Sequence, residues 1–290
     1  MITIDEEKCI PCKMCVDVCP ARIFLWDIFD NEKSIVKVVN EEFCIICGHC
    51  VAICPEDAII HKRLSSELFS PLAPTDLTSE ALINLILSRR SIRAYKPDPV
   101  PQTLLEQLLE AARQAPTAMN TQNVEFIVVQ DAAILAKLEA LTFETLWGAL
   151  KRLDNPIFRK LAQLKYKKDQ YQMFYRYYQC FKQLKENDQI QGMVFRGARC
   201  AIVLHSPQAG LMETANCALA IANMTILAQT LELGTCWVGF LIEAARRSGY
   251  FNKILEIPDS RKILGCLIVG YPKYDYRRSI LRKKSTIKWF

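Results

Sequence analysis

The chain has 290 residues, 51% of them apolar and 23% charged, with 13 cysteines, 10 glycines and a net charge of +6. That composition excludes disordered and collagen-like classes and leaves room for two domains, each with its own core. The charge is uneven: residues 1–64 hold 7 Lys and Arg against 11 Asp and Glu, a balance of −4, and the rest carries +10 with no nucleic-acid-binding motif to match.

The first feature along the chain is a repeat. Cys9, Cys12, Cys15, Cys19 and Pro20 recur as Cys44, Cys47, Cys50, Cys54 and Pro55, each shifted by 35 residues. The acidic start, Met1 to Lys8, has neither the basic nor the apolar run of a signal peptide, so a cytoplasmic location with reduced cysteines is expected. Between the copies, Ile23 to Phe29 and Ser34 to Val39 read as a hairpin around Asp30-Asn31. Residues 65–77, with Pro71 and Pro74 and no sustained period, read as a linker between a domain at 1–64 and another at 78–290.

Past the linker, Thr78 can cap a helix ending near Arg89, and Pro101 suits the first turn of another that Pro116 stops. Val124 to Val129 reads as a buried strand, followed by mostly helical sequence over 131–190. Ala201 to His205 is a second strand, Glu213 to Glu232 a long apolar helix, 243–256 helical again, and Leu264 to Val269 a third strand. Thr214 to Leu231 holds 18 residues without a charge, but Asn216, Asn223, Thr225 and Gln229 within it favour a buried helix over a membrane span. Mixed helices and strands place the second domain in the α+β or α/β class. The absence of G-x-G-x-x-G removes a Rossmann dinucleotide site.

Each cysteine run, C-x-x-C-x-x-C-x-x-x-C-P, resembles the bacterial ferredoxin motif, in which three thiolates serve one [4Fe–4S] cube and the fourth serves the other. That resemblance assigns Cys9, Cys12, Cys15 and Cys54 to cluster I, and Cys44, Cys47, Cys50 and Cys19 to cluster II. Four-cysteine structural zinc is the alternative, though zinc sites seldom show this cadence before a proline. Pro11 departs from the usual pattern, and His49 inside the second run reads either as a surface residue or as one that backs the ligands. Cys180, Cys200, Cys217, Cys236 and Cys266 are scattered and read as small buried hydrophobes.

Three further segments share a second resemblance. Arg89-Arg90-Ser91-Ile92-Arg93-Ala94-Tyr95, then Ala115 through Gln122, then Leu233 through Phe240 match the FMN-dependent nitroreductase family in order and spacing, as do Gly265 to Pro272. The whole is similar to the ferredoxin–nitroreductase fusions of anaerobes. It implies an α+β chain: a bacterial ferredoxin-like 2[4Fe–4S] domain, then a nitroreductase-like α+β sandwich with a central mixed sheet.

The resemblance implies FMN contacts at Arg89, Arg90, Ser91, Arg93, Pro116, Thr117, Asn120, Gln122, Val238, Gly239 and Arg282. Guanidinium forks at Arg89 and Arg282 suit a phosphate. Arg93 would place positive charge near N1 and O2 of the flavin. Pro116, Thr117, Asn120 and Gln122 match the segment that approaches flavin from the other subunit of a homodimer, and backbone at Val238 and Gly239 would pass the N5 edge.

No residue is assigned a catalytic role of its own. An insertion over about 143–192, rich in Tyr, Phe, Lys and Gln, would form either a lid or helix-packing aromatics. The expected activity is electron transfer from a low-potential donor, ferredoxin or NAD(P)H, through two clusters and FMN to a small organic acceptor such as a nitroaromatic, quinone or enone. A non-catalytic electron carrier or flavin-holding protein is the alternative. Neither nucleic acid nor membrane is an expected partner.

Overall fold

A computed structural model describes residues 2–29, 33–207 and 212–290; the Asp30-Asn31 turn lies outside them. The chain groups into two units, Met1–Asp76 with Met119–Thr121, and Leu77–Ala118 with Gln122–Phe290.

The first unit runs β1 (Ile2–Ile4), α1 (Met14–Val18), β2 (Phe24–Phe29), β3 (Lys33–Val38), α2 (His49–Ile53) and β4 (Ile59–His61). Two antiparallel ribbons result, β1 with β4 and β2 with β3. The 35-residue shift carries α1 onto α2 and Phe24, Leu25 and Trp26 onto Ile59, Ile60 and His61. Both short helices begin after left-handed backbone, at Lys13 (φ 67°) and Gly48 (φ 73°). Only the second copy has the residue that adopts this conformation without steric cost. Ile2, Ile23, Phe24 and Ile59 form the core with Cys15 and Cys50. Within 65–77 there is one 3-10 turn, Ser66–Leu68.

The second unit runs α3 (Ser79–Ser88), α4 (Gln102–Arg113), β5 (Glu125–Val129), α5 (Ala132–Leu150), α6 (Pro156–Lys165), α7 (Lys168–Glu186), β6 (Cys200–Pro207), α8 (Glu213–Thr230), β7 (Gly234–Trp237), α9 (Gly239–Ala245), α10 (Tyr250–Ile254) and β8 (Arg261–Gly270). Side-chain caps set several helix starts. Thr78 Oγ1 accepts from Ala81 N at 3.1 Å before α3, and Asp131 Oδ1 from Ile134 N at 2.8 Å before α5. Pro101 stands at the cap of α4.

The four strands pair antiparallel in the order β5-β6-β8-β7. The parallel component of the expected mixed sheet is one bridge, Ser91 to Thr235. Both faces of the sheet are covered. Ala201, Val203, Cys266 and Ile268 face one cluster, with Leu138 and Phe143 of α5 and Leu241 of α9. Ile202, Leu204, Leu267 and Val269 face the other, with Leu108 of α4 and Ile221 and Met224 of α8. Burial on both sides explains why β6 and β8 read as unbroken apolar runs; β5, read as a buried strand, lies at the sheet edge and is buried only at Val129. Each fully buried aliphatic contributes about 1.5–3 kcal/mol.

The apolar helix α8 is therefore a core element, with Asn216, Cys217, Ala220, Ile221, Met224 and Ala228 buried along one face. Among the described residues no helix is long and apolar enough to cross a membrane. Of the scattered cysteines, Cys200, Cys217 and Cys266 are buried as expected and Cys236 is half-buried. Cys180 is exposed, because the buried face of α7 is taken by Tyr178 and Phe181.

Candidate functional site

The eight cysteines of the first unit line two cavities in crossed sets. One, with about 380 Å³ of empty space, is lined by Cys9, Cys12, Cys15 and Cys54. The other, about 320 Å³, is lined by Cys19, Cys44, Cys47 and Cys50. Each takes three thiols from its own copy and one from the other. Burial raises the Cys9 and Cys15 thiols and pushes Cys50 up to about 11; neighbouring thiols add, Cys54 on Cys9 and Cys19 on Cys50. Among the described residues no three His, Cys, Asp or Glu side chains converge on a single ion. Two sets of four thiols spread around a cavity fit cubes whose irons take one thiolate each.

Backbone and side-chain N–H groups already point at these sulfurs. Ile46 N donates to Cys44 Sγ at 3.4 Å and Ala58 N to Cys54 Sγ at 3.3 Å. His61, 5% exposed, places Nε2 3.5 Å from Cys44 Sγ. Its Nδ1 accepts from Arg63 N at 3.2 Å, so the ring proton resides on Nε2 and His61 is the donor. Burial lowers the His61 pKa. His49 is exposed.

In the second unit, the segment after α3 is fastened to the sheet edge. Ile92 N donates to Thr235 O at 2.9 Å, and Tyr95 Oη to Ile92 O at 2.8 Å. A Cβ on Gly234 would stand 2.7 Å from Ile92 Cγ1, so only glycine lets the segment lie this close. Arg90 Nη1 donates to Leu87 O and Arg89 O at 2.8 and 2.7 Å, while its buried Nε and Nη2 have no hydrogen-bond partner in the structure. A guanidinium with two unused, shielded N–H donors is suited to donate to a phosphate.

Arg93, Val238 and Gly239 meet in one cleft of about 1510 Å³. A Cβ on Gly239 would meet nothing within 4 Å, leaving room for a planar ring against the backbone. The inserted helices form the opposite wall through Leu146, Phe174, Tyr177 and Phe181. Phe181 also stacks on Phe143 at 5.3 Å in the core, as the helix-packing reading of the insertion expects. Trp237 and Phe240, which sequence reasoning did not single out, line the same cleft.

The remaining expected residues lie elsewhere. Thr117 and Gln122 line a separate cavity of about 1160 Å³, where Gln122 N donates to Thr117 Oγ1 at 3.0 Å. Pro116 is exposed. Asn120 groups with the first unit, its Nδ2 donating to Ile45 O and Ile46 O at 3.2 and 2.9 Å. Arg282 is exposed in a tail without helix or strand. The Thr117 cavity also holds a network the sequence did not reveal: Arg261 Nε donates to His205 Nδ1 at 2.8 Å and Nη2 pairs with Glu125 Oε1 at 3.0 Å. Burial and the Arg261 charge lower the His205 pKa.

With this geometry in hand, comparison with known proteins gives two family matches. The Nitroreductase family model matches residues 86–271 and a 4Fe-4S dicluster domain model matches residues 8–58. A candidate NADH dehydrogenase/NAD(P)H nitroreductase of Archaeoglobus fulgidus is 26% identical over 195 residues, 67% of this chain and 87% of that one. An NADH dehydrogenase of Thermus thermophilus is 49% identical over 57 residues, 20% of this chain and 28% of that one. A nitroreductase with bound FMN from Desulfitobacterium hafniense shares the fold, with a TM-score of 0.55 and 22% identity over 74% of this chain and 100% of the other.

Proposed function

Because the chain belongs to the nitroreductase family and carries a 4Fe-4S dicluster domain ahead of it, we propose that it is an FMN-dependent oxidoreductase fed by iron–sulfur clusters. A low-potential donor, ferredoxin or NAD(P)H, would supply electrons, and a small nitroaromatic, quinone or enone would receive them. The pair of crossed four-cysteine cavities carries this reading, since it supplies one-electron ports that a plain flavoreductase does not need. Bound clusters would supply one-electron transfer and bound FMN the change to two-electron chemistry.

The residues present fit both groups. Cys9, Cys12, Cys15 and Cys54 would hold cluster I; Cys44, Cys47, Cys50 and Cys19 would hold cluster II. Arg90, with its unused buried donors, would take the FMN phosphate alongside Arg89. Arg93 would hold positive charge against the flavin edge, and Val238 and Gly239 would let the ring approach the backbone. The aromatic wall from the insertion would exclude water and stack a planar acceptor.

Thr117 and Gln122 occupy a different cavity from Arg93 on one chain. A homodimer in which that segment completes the other subunit's flavin site is the assembly this separation favours. The partly exposed outer face of α8, with Leu219 at 43%, is available for such an interface. The test is anaerobic purification followed by metal and flavin analysis. About eight irons and one FMN per chain are expected; zinc in place of iron, or no flavin after reconstitution, would falsify the reading. Stopped-flow reduction by ferredoxin, NADH or NADPH then selects the donor. Anaerobic reoxidation by nitroaromatics, quinones or enones selects the acceptor, and no turnover with any of them favours the carrier alternative.

A further inference from the structure

The two copies of the cysteine repeat are not equivalent in what they offer their first cysteine. In the second copy Cys44 Sγ accepts from Ile46 N at 3.4 Å and faces the proton-bearing Nε2 of His61 at 3.5 Å. Shifting back 35 residues, the counterparts of Cys44, Ile46 and His61 are Cys9, Pro11 and Trp26. Pro11 has no N–H to donate, and proline cannot adopt the left-handed backbone that Ile46 uses at φ 56°. Trp26 has an N–H, but its Nε1 is buried without a hydrogen-bond partner. Among the described residues, Ala58 N donates to a cluster I thiol, Cys54 Sγ, at 3.3 Å.

An N–H donor to a cysteine ligand stabilises the more negative, reduced cube and so raises its potential. We propose that the two donors on Cys44 tune cluster II upward, and that Pro11 withholds the matching backbone bond from cluster I. The copies are thereby set apart by residues outside the eight ligands. This rests on the two-cluster reading above, and full iron content in each protein tested separates a failure of that reading from a failure of this one.

The experiment is EPR-monitored redox titration of the holoprotein, with each signal assigned through the Cys54→Ala and Cys19→Ala variants. His61→Leu is expected to lower the cluster II potential by about tenfold in the one-electron equilibrium, about 59 mV, and to leave cluster I unmoved. His61→Gln, which keeps an N–H, should restore much of that shift. Pro11→Gly, which supplies both an N–H and the needed backbone freedom, should raise cluster I by a similar amount and leave cluster II unmoved. An unmoved cluster II in His61→Leu, an unmoved cluster I in Pro11→Gly, or equal shifts of both cubes in either variant overturns the proposal. Wild-type protein labelled with nitrogen-15 histidine gives an independent reading free of any folding defect. Pulsed EPR should show histidine nitrogen coupled to reduced cluster II, and absence of that coupling also overturns it.

Discussion

Glu139 offers a test of the cleft wall that touches no residue assigned to a cofactor. From α5 its carboxylate reaches the loop after α7, where Oε2 accepts from Gly192 N at 3.0 Å and Oε1 from Val194 N and Phe195 N at 2.8 and 3.2 Å. Val194 and Phe195 are 3% and 4% exposed, so Glu139→Ala leaves two buried amides without an acceptor, while Gly192 can turn to water. At about 1–3 kcal/mol for each unsatisfied buried donor, the variant should lose about 4 kcal/mol. Glu139→Gln retains a carbonyl oxygen for both amides and should lose about 1 kcal/mol. Because Met193 and Val194 line the cleft, the loosening appears where the acceptor would sit. Hydrogen exchange of residues 192–195 should speed up by about three orders of magnitude in Glu139→Ala, alongside a lower urea midpoint. A variant within about 0.5 kcal/mol of wild type, with both amides still protected, would refute the reasoning.

The crossed cavities predict that Cys54→Ala, although it alters the second cysteine run, empties the first site. Iron should fall from about eight to about four per chain, and the surviving EPR signal should be the one lost in Cys19→Ala. Arg90→Ala should weaken FMN binding about 10- to 100-fold, in line with losing charge-assisted hydrogen bonds of about 1.5–3 kcal/mol. Flavin fluorescence on titrating the apoprotein measures it, and undiminished affinity would reassign the phosphate. Burial pushes the Cys200 and Cys217 thiols up to about 12 from an ordinary value of 9.0. The folded chain thus keeps protons that the unfolded chain releases. Stability should be full below about pH 9 and fall by about 1.4 kcal/mol per pH unit for each thiol up to about pH 12. Urea midpoints across that range should fall less steeply in Cys217→Ala; an unchanged slope counts against the assignment.

What could be read from the chain was what local chemistry marks. The cysteine cadence, Thr78 as a cap, and the apolar runs of β6 and β8 signal themselves through neighbours in sequence. The segment at β7 passed unnoticed as a strand because Gly234-Thr235-Cys236-Trp237 is four residues long and owes its place to pairing with β8, 30 and more residues on. His61 escaped notice for a related reason. A lone histidine after Ile59-Ile60 carries no signature, and only its position 17 residues past Cys44, matching Trp26 past Cys9, could have drawn attention. The Glu139 clasp and the Arg261–His205–Glu125 network join residues more than 50 positions apart, beyond any periodicity. Arg93, Val238 and Gly239 were found together because three short motifs sharing a family resemblance compensate for that distance.

The exchange of a fourth thiol between cavities also bears on how the first unit is made. Neither half of the repeat owns a complete ligand set, so a chain truncated after Pro20 or begun at Glu41 would have nowhere to seat even one inorganic core. Each site therefore needs both copies of the repeat in one chain, while each crossed thiol serves one site alone.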